Sequence, residues 1–319
     1  MIARRGFLAG ALSLVLPARA RAAGYPARTV RLLAGQAPGG QTDAIARAVA
    51  HQFAERWQVA VVVENHGGAS GTIAARAVAQ APSDGYTLLV GSNASLVLAP
   101  STIGNVGYDT LRDFAPVGRV ARVTYALVVR AGLDVATLHE FVALARRRPG
   151  AISVATAGPA SSNHVIASRL AIAAGIEIFP VPYKGGAPAL QALLAGEVDA
   201  TVADVSSFLG HADAGSVRLL AMVGAQRSPF APAVPTLRES GYRGVGDDPW
   251  YGILAPAATP AAIVDTVAAA LRATVRDADM RRRFSALGYA MFDESPAEFS
   301  RALAAEIADT RESLARGAR

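Results

Sequence analysis

Three β-branched or aliphatic runs alternate with amphipathic stretches over residues 29–90, joined by glycine turns, and this leaves few folds open. Thr29-Val-Arg-Leu-Leu-Ala34 reads as a buried strand, and Ile45, Val49, Phe53 and Trp57, four residues apart, draw one apolar face along a helix. Gln58-Val-Ala-Val-Val-Val-Glu64 is a second strand. Asn65-His-Gly-Gly-Ala-Ser-Gly71 turns into a second helix through Ile73, Ala77 and Ala81, and Pro82-Ser-Asp-Gly85 ends it before the strand Tyr86-Thr-Leu-Leu-Val90. A βαβαβ series of this kind predicts parallel strands joined by right-handed crossovers, with ligands bound at the carboxyl ends of the strands.

The first junction, Gly35-Gln-Ala-Pro-Gly-Gly-Gln-Thr-Asp43, is the N-terminus of a helix. There the first N–H groups lack intrahelical partners, the macrodipole places partial positive charge, and Gly39-Gly40 allow close approach to the main chain. Such an end can hold an anion. The plainer reading is that Pro38-Gly39-Gly40 only turns the chain and that Thr42 or Asp43 caps the helix. The loop Gly91-Ser-Asn-Ala-Ser95 lies at the carboxyl end of the third strand.

Phe114–Val120 and Thr124–Arg130 carry the chain into a second series. It comprises a helix from Thr137 to Arg147, a strand Ile152 to Thr156, the turn Ala157-Gly-Pro-Ala-Ser-Ser-Asn-His164 and a helix bearing Ile166 and Leu170. Strands then follow at Ile176–Val181, Val198–Val205 and Val217–Val223, with a helix from Ala189 to Leu194 opened by Tyr183-Lys-Gly-Gly-Ala187. From Gln226 the chain is rich in proline and is expected to return to the first domain, with Tyr251–Ala255 as a strand of its sheet and closing helices at Ala261–Val275 and Pro296–Leu314. Arg281-Arg282-Arg283 reads as solvated helix surface.

Arg4-Arg5-Gly6-Phe7-Leu8, an apolar run to Leu16 and small residues at Ala20–Ala23 read as a cleaved, twin-arginine-like export signal over residues 1–23. A short amphipathic or anchoring segment is the alternative; about ten apolar residues are too few to span a bilayer, which needs about 20. Cleavage would remove four of the 31 basic residues, leaving 27 against 25 acids, so the net charge falls from +6 to +2 and gives no reason to expect nucleic acid. The chain has no cysteine, hence no disulfide and no thiolate metal site.

Enzyme signatures are missing. Gly67-Gly-Ala-Ser-Gly71 is not a nucleophile elbow, Lys184 follows Tyr183 rather than the glycine of a phosphate loop, and the five histidines show no metal-binding spacing. Ser161, Ser162 and His164 sit close together, but neighbours on one turn seldom aim at each other and no acid is placed to orient the histidine. Ser161 is better read as a ligand-binding hydroxyl, and His164 as a helix-start residue bonding locally or, alternatively, a ligand contact. No catalytic residue, metal site or cofactor is expected.

Pro38-Gly-Gly-Gln-Thr-Asp43, Val63-Glu-Asn-His-Gly-Gly-Ala-Ser-Gly71, Asp84-Gly-Tyr-Thr-Leu-Leu89, Ser161-Ser-Asn-His164, Pro182-Tyr-Lys-Gly-Gly186, Gly196-Glu-Val-Asp199 and Val234-Pro-Thr-Leu-Arg-Glu-Ser-Gly241 occur in that order. Together they resemble the Bug family, the extracytoplasmic solute-binding receptors of tripartite tricarboxylate transporters. The resemblance implies a type II periplasmic-binding-protein fold of class α/β: residues 24–122 plus 226–319 as one domain, 123–225 as the other, a two-stranded hinge, and a ligand cleft between them. It also implies a periplasmic protein, expected here as a monomer, that binds a small organic carboxylate and delivers it to membrane carrier subunits. A ligand sensor feeding a membrane signalling protein, and more remotely an exported hydrolase, are the alternatives.

Carried over, the candidate ligand contacts are Gln36, Pro38, Gly39, Gly40, Thr42 and Asp43 in the first loop and Thr156, Ala157, Ser161, Ser162 and His164 in the second. Ser92, Tyr183, Gly185 and Asp204 would complete the wall. The sequence departs from the family pattern at Gly35-Gln36, where an aromatic residue is usual, at Pro159-Ala160, where asparagine and glycine are usual, and at Ala203, where many relatives carry the aspartate that here stands at Asp204. Strand neighbours face opposite sides, so Asp204 need not replace it.

Overall fold

The computed structural model describes residues 24–183, 186–246 and 248–317; the expected export signal, Lys184 and Gly185 lie outside the described residues. The chain builds two α/β lobes. In the first, β1 (Val30–Ala34), β2 (Val61–Asn65) and β3 (Thr87–Ser92) are parallel, with α1 (Gln41–Trp57) and α2 (Thr72–Ala79) between them. A π-helical turn at Ala94–Leu98 and α3 (Ala99–Thr102) follow, and β4 (Phe114–Val123) then leads toward the second lobe.

The second lobe runs β5 (Tyr125–Arg130), α4 (Leu138–Arg147), β6 (Ser153–Thr156), α5 (Ser162–Ala174), β7 (Phe179–Pro182), α6 (Gly186–Ala195), β8 (Ala200–Asp204), α7 (Leu209–Asp213) and β9 (Val217–Met222). Its sheet has the order β7-β6-β8-β5-β9, with β6 parallel to β7 and β8, and β5 antiparallel to β8 and β9. The chain then returns through β10 (Trp250–Pro256), α8 (Ala261–Arg276), α9 (Ala278–Ala286), β11 (Tyr289–Met291) and α10 (Pro296–Gly317). The first sheet has the order β11-β4-β10-β3-β1-β2.

Each sheet is covered on both faces, which is why the strands are continuous apolar runs rather than alternating ones. In the first lobe α1 and α8 bury Phe53, Val49, Val267 and Leu271 on one face, while Leu33, Leu89 and Leu254 pack with Phe299 and Leu303 of α10 on the other. In the second, α4 and α5 cover Leu127, Val154 and Val202 with Phe141 and Leu170. Each fully buried Leu or Phe adds about 1.5–3 kcal/mol. The start of α4 is fixed by a reciprocal capping box, the Thr137 side chain accepting from Glu140 N and the Glu140 carboxylate from Thr137 N.

Two segments cross between the lobes side by side: Val123 N donates to Pro249 O (2.8 Å) and Tyr125 N to Asp248 Oδ1 (2.9 Å). The return crossing lies later than the proline-rich stretch at Gln226 led us to expect. Met222 N donates to Pro235 O and Leu237 N to Met222 O, and Leu237 and Val245 join the core of the second lobe. The prolines end regular structure without ending the lobe, because a loop can still bury apolar side chains against the sheet it has just left.

Candidate ligand-binding site

The carboxyl ends of β1, β2 and β3 face those of β6 and β8, so the loops that follow them meet between the lobes. The loop after β1 ends at Gly40, the N-cap of α1, which offers no side chain to cap with. Gln36 fills the role from outside the helix, its Oε1 accepting from Thr42 N (3.0 Å). Gly39 N donates to Asp43 Oδ2 (2.9 Å), and Gly39 adopts φ +83°, a conformation open to glycine. Gly35 is needed for a different reason: a Cβ there would stand 2.6 Å from Gly71 Cα, so the first loop lies directly on the turn that begins α2.

Asp43, expected as a cap or ligand contact, ties the loop together. Its carboxylate also accepts from Asn65 Nδ2 (2.9 Å) and pairs with Arg47 (2.9 Å). Burial works to raise its pKa, but the bonds from Arg47, Gly39 and Asn65 hold it below the ordinary 3.8. Its negative charge is thereby committed to the protein.

In the second loop Ser161 is the N-cap of α5, its Oγ accepting from His164 N (3.4 Å) and lying 2.5 Å from Gly158 O. The Asn163 amide oxygen collects Ala157 N (3.2 Å) and His164 N (3.0 Å) and stands 2.6 Å from Ser161 Oγ. Thr156 is buried and its Oγ1 accepts from Gly158 N (3.3 Å). Burial lowers the pKa of His164. Ser161 meets the main chain of His164, not its imidazole, and the pair does not form a nucleophile and base.

The two loops press against the opposite lobe. Ser70 Oγ donates to Pro159 O (3.0 Å), Ser162 Oγ donates to Asn93 Oδ1 (3.1 Å), and Ala160 packs on Ala99 and Val106. Ala160 has φ +62°, so the position where asparagine and glycine are usual keeps the left-handed backbone without a glycine. Pro38, Gly40, Thr42, Ala157, Ser161 and Ser162 thus belong to loops that the fold brings together. Ser92 Oγ accepts from Ser95 N (3.4 Å) within its own turn, and Tyr183 N donates to Thr156 O (2.7 Å), fixing the loop beside it.

Asp204, at the end of β8, points its carboxylate toward the first lobe, accepting from Tyr289 OH (2.8 Å) and from Ser206 N (3.0 Å) and Oγ (2.8 Å). It is 6% exposed, and burial raises its pKa above the usual aspartate value, partly offset by Tyr289 and Ser206. Beside it stands a group that the motifs did not suggest: Gln41 Oε1 accepts from both Tyr125 OH (2.9 Å) and Tyr251 OH (3.0 Å). Tyr125 opens β5 and Tyr251 sits near the start of β10. Their position beside the two crossings is the only sequence signal that could have singled them out. Burial pushes all three tyrosines, Tyr289 included, well above 10.

The site therefore presents main-chain donors from two helix N-termini, one per lobe, each already satisfied by an uncharged amide oxygen from Gln36 or Asn163. The profile described as Tripartite tricarboxylate transporter family receptor, TctC, matches residues 45–314. Protein BugT of Bordetella pertussis is 35% identical over 241 residues, covering 75% of this chain and 74% of BugT. Among solved structures, MatC from Rhodopseudomonas palustris with bound malate is 30% identical with TM-score 0.84, covering 90% of this chain and 99% of MatC. R. palustris Rpa4515 with adipate is 32% identical with TM-score 0.82, covering 89% and 95%. The chain belongs to the tripartite tricarboxylate transporter receptor family, the family of the Bug solute-binding proteins.

Proposed function

We propose that this protein captures a small organic carboxylate between its lobes in the periplasm and delivers it to the membrane carrier of a tripartite tricarboxylate transporter. The observation that carries the reading is the pair of facing loops at residues 36–43 and 156–164, whose N–H groups bind amide oxygens at Thr42, Ala157 and His164. A carboxylate offers the same acceptor geometry with a full negative charge, and charge-assisted bonds are roughly twice as strong as neutral ones. The helix termini add favourable dipoles at the same place.

The ligand carboxylate belongs at the loops rather than at the end of β8, where Asp204 would repel it. Of the candidate contacts, Gln36, Gly39, Gly40, Thr42, Ser161 and Ser162 would act directly, while Asp43 would hold the loop shape. Ser92 and Tyr183 would complete the wall. Closure follows from the ligand binding both lobes at once: only the closed arrangement offers both sets of donors, so binding shifts the population toward it. Malate bound in MatC and adipate bound in Rpa4515 support the ligand class. Export through residues 1–23 is part of the same proposal, and no helix among the described residues is long and apolar enough to cross a membrane.

The test is the melting temperature against succinate, malate, adipate and citrate, each paired with its amide. A ligand at a hundred times its Kd adds about 2.7 kcal/mol, a rise of roughly 4 °C for a chain of this size. A rise with one acid and none with its amide is expected. Equal rises with acid and amide, or none with any acid, would refute carboxylate capture.

A further inference from the structure

Gln41 is the first residue of α1, directly after the Gly40 N-cap, and its side chain sits in a polar cluster drawn from both lobes. From the first lobe come Gln41, Tyr251 of β10 and Tyr289 of β11; from the second come Tyr125 of β5 and Asp204 of β8. Gln41 Oε1 accepts from Tyr251 OH (3.0 Å) within its own lobe and from Tyr125 OH (2.9 Å) across the lobes. The nitrogen of the same amide faces the Asp204 carboxylate, which takes Tyr289 OH (2.8 Å) as a second link between the lobes.

The chemistry of the cluster turns it inward. An amide oxygen accepts two bonds while its nitrogen donates two, so one glutamine can serve two hydroxyls and a carboxylate at once. Asp204 also accepts from Ser206 N and Oγ, which commits its oxygens to the protein. A buried network with its members partnered holds one geometry, because each bond broken leaves a group without water to replace it. On one side the cluster touches the first loop: the side chains of Gln36 and Thr42 stand beside Tyr251 OH, and Gln36 Oε1 accepts from Thr42 N. On the other side it is tied to the crossing segments, through Tyr125 N donating to Asp248 Oδ1 and through Gly288 O, next to Tyr289, accepting from Thr124 Oγ1 (2.9 Å). Beside the crossings a rotation of the lobes moves atoms least, so these bonds can limit the swing of the lobes while surviving it.

We propose that Gln41 is a positioning residue of the binding site: its side chain docks the first turn of α1 on Tyr125 and Asp204 of the second lobe and so sets how the two loops face each other. Its role in affinity rests on the reading of those loops as the ligand site; its role in lobe geometry does not.

The chain has no cysteine, so spin labels can be placed at Ile103→Cys and Ile172→Cys, exposed positions on opposite lobes, and the distance distribution between them measured by pulsed electron resonance. The variants are Gln41→Met, which keeps length and removes the amide, and Tyr289→Phe, which removes one hydroxyl far from the loops in sequence. Thr274→Ala, which deletes a buried hydroxyl of α8 outside the cluster, is the control for general loss of stability. In the ligand-free protein both cluster variants broaden the distribution by roughly half, since each frees a link between the lobes, and Thr274→Ala leaves it unchanged. For the acid that most raises the melting temperature, calorimetry gives a Kd about fivefold higher or more in both cluster variants, with the rank order of the acids kept. Circular dichroism establishes folding, and Tyr289→Phe decides the matter if Gln41→Met does not fold. An unchanged distribution in the folded cluster variants, or equal broadening in Thr274→Ala, overturns the proposal. A wild-type Kd in both cluster variants overturns it too, by separating the cluster from the site. If no acid binds the wild type, the loop reading falls alone and the distance measurement still decides whether Gln41 holds the lobes.

Discussion

Asn93→Ala removes a contact that joins the lobes in addition to the two crossing segments. Ser162 Oγ donates to Asn93 Oδ1 at 3.1 Å, with the two residues 7% and 8% exposed. In an open arrangement both groups would be hydrated, so the substitution weakens the closed state more than the open one. A net hydrogen bond contributes about 0.5–1.5 kcal/mol, and leaving the Ser162 hydroxyl buried without a partner costs about 1–3 kcal/mol. The closed population falls by that free energy. If the free protein is mostly open, the Kd for the most stabilising acid of the melting panel rises by the same factor, between several-fold and a hundredfold. Calorimetry on Asn93→Ala, Ser162→Ala and the double variant closes a mutant cycle, with an expected coupling of about 1 kcal/mol. Additivity within about 0.3 kcal/mol, or an unchanged Kd in both single variants, would refute the idea that this contact helps hold the lobes together.

Three further outcomes follow from the packing. Gly35→Ala puts a Cβ 2.6 Å from Gly71 Cα, and backbone cannot yield as a side chain would; urea unfolding should show a loss of about 1–3 kcal/mol, and an unchanged midpoint would contradict the close approach. Arg119 donates from Nη2 and Nε along one guanidinium edge to the two carboxylate oxygens of Glu294 (2.6 and 2.9 Å), both side chains are at most 16% exposed, and the guanidinium stacks 4.0 Å from the Phe292 ring centroid. Arg119→Met strands the Glu294 charge and should cost about 3 kcal/mol in the same assay; a loss below about 1 kcal/mol would show the pair to be solvated. Asp199 is pushed up by burial but held below the ordinary 3.8 by bonds from Ser153 and by Arg130. A depressed folded pKa gives stability that is present above the unfolded value and lost as pH falls through the folded one. Asp199→Asn should therefore be less stable at pH 7 and show a shallower decline below about pH 4; parallel wild-type and variant curves would contradict this.

The parts of the fold that were legible in the sequence are those in which local chemistry and tertiary packing agree. The runs at Thr29–Ala34 and Tyr86–Val90 are apolar because both faces of their sheet are covered, and the Ile45–Trp57 stripe lies on the core side of α1. Elements whose identity is set by their neighbours escaped notice. Tyr289–Met291 becomes a strand only because it pairs with the outer edge of β4, and three residues carry no periodicity of their own. Ala94–Leu98 is wound as a π-helical turn beneath Tyr108 and Thr110, which bond Ser95 O and Leu96 O.

The candidate site divides in the same way. The glycine turns could be read because backbone geometry dictates Gly39 and because donors at a helix N-terminus are a property of the helix. The partners of those donors could not. Gln36 reaches across six positions to Thr42, and Asn163 folds back over Ala157. The Gln41–Tyr125–Tyr251 cluster joins residues up to 210 positions apart, which only the two crossings bring together. Asp204 faces the first lobe, an orientation that strand alternation alone left open.

Calorimetric titration of the acid that most raises the melting temperature, into wild type and Gly40→Asp, tests the central claim most directly. An added Cβ at Gly40 would stand 2.7 Å from Gln36 Oε1, and the aspartate would bring a negative charge to the N-terminus of α1, where the ligand carboxylate is placed. Two like charges about 4 Å apart repel by about 4 kcal/mol in partly solvated protein, so a loss of affinity of at least a hundredfold is predicted, equivalent to about 2.8 kcal/mol. Wild-type affinity in a folded Gly40→Asp protein would contradict carboxylate capture by the loop that opens α1.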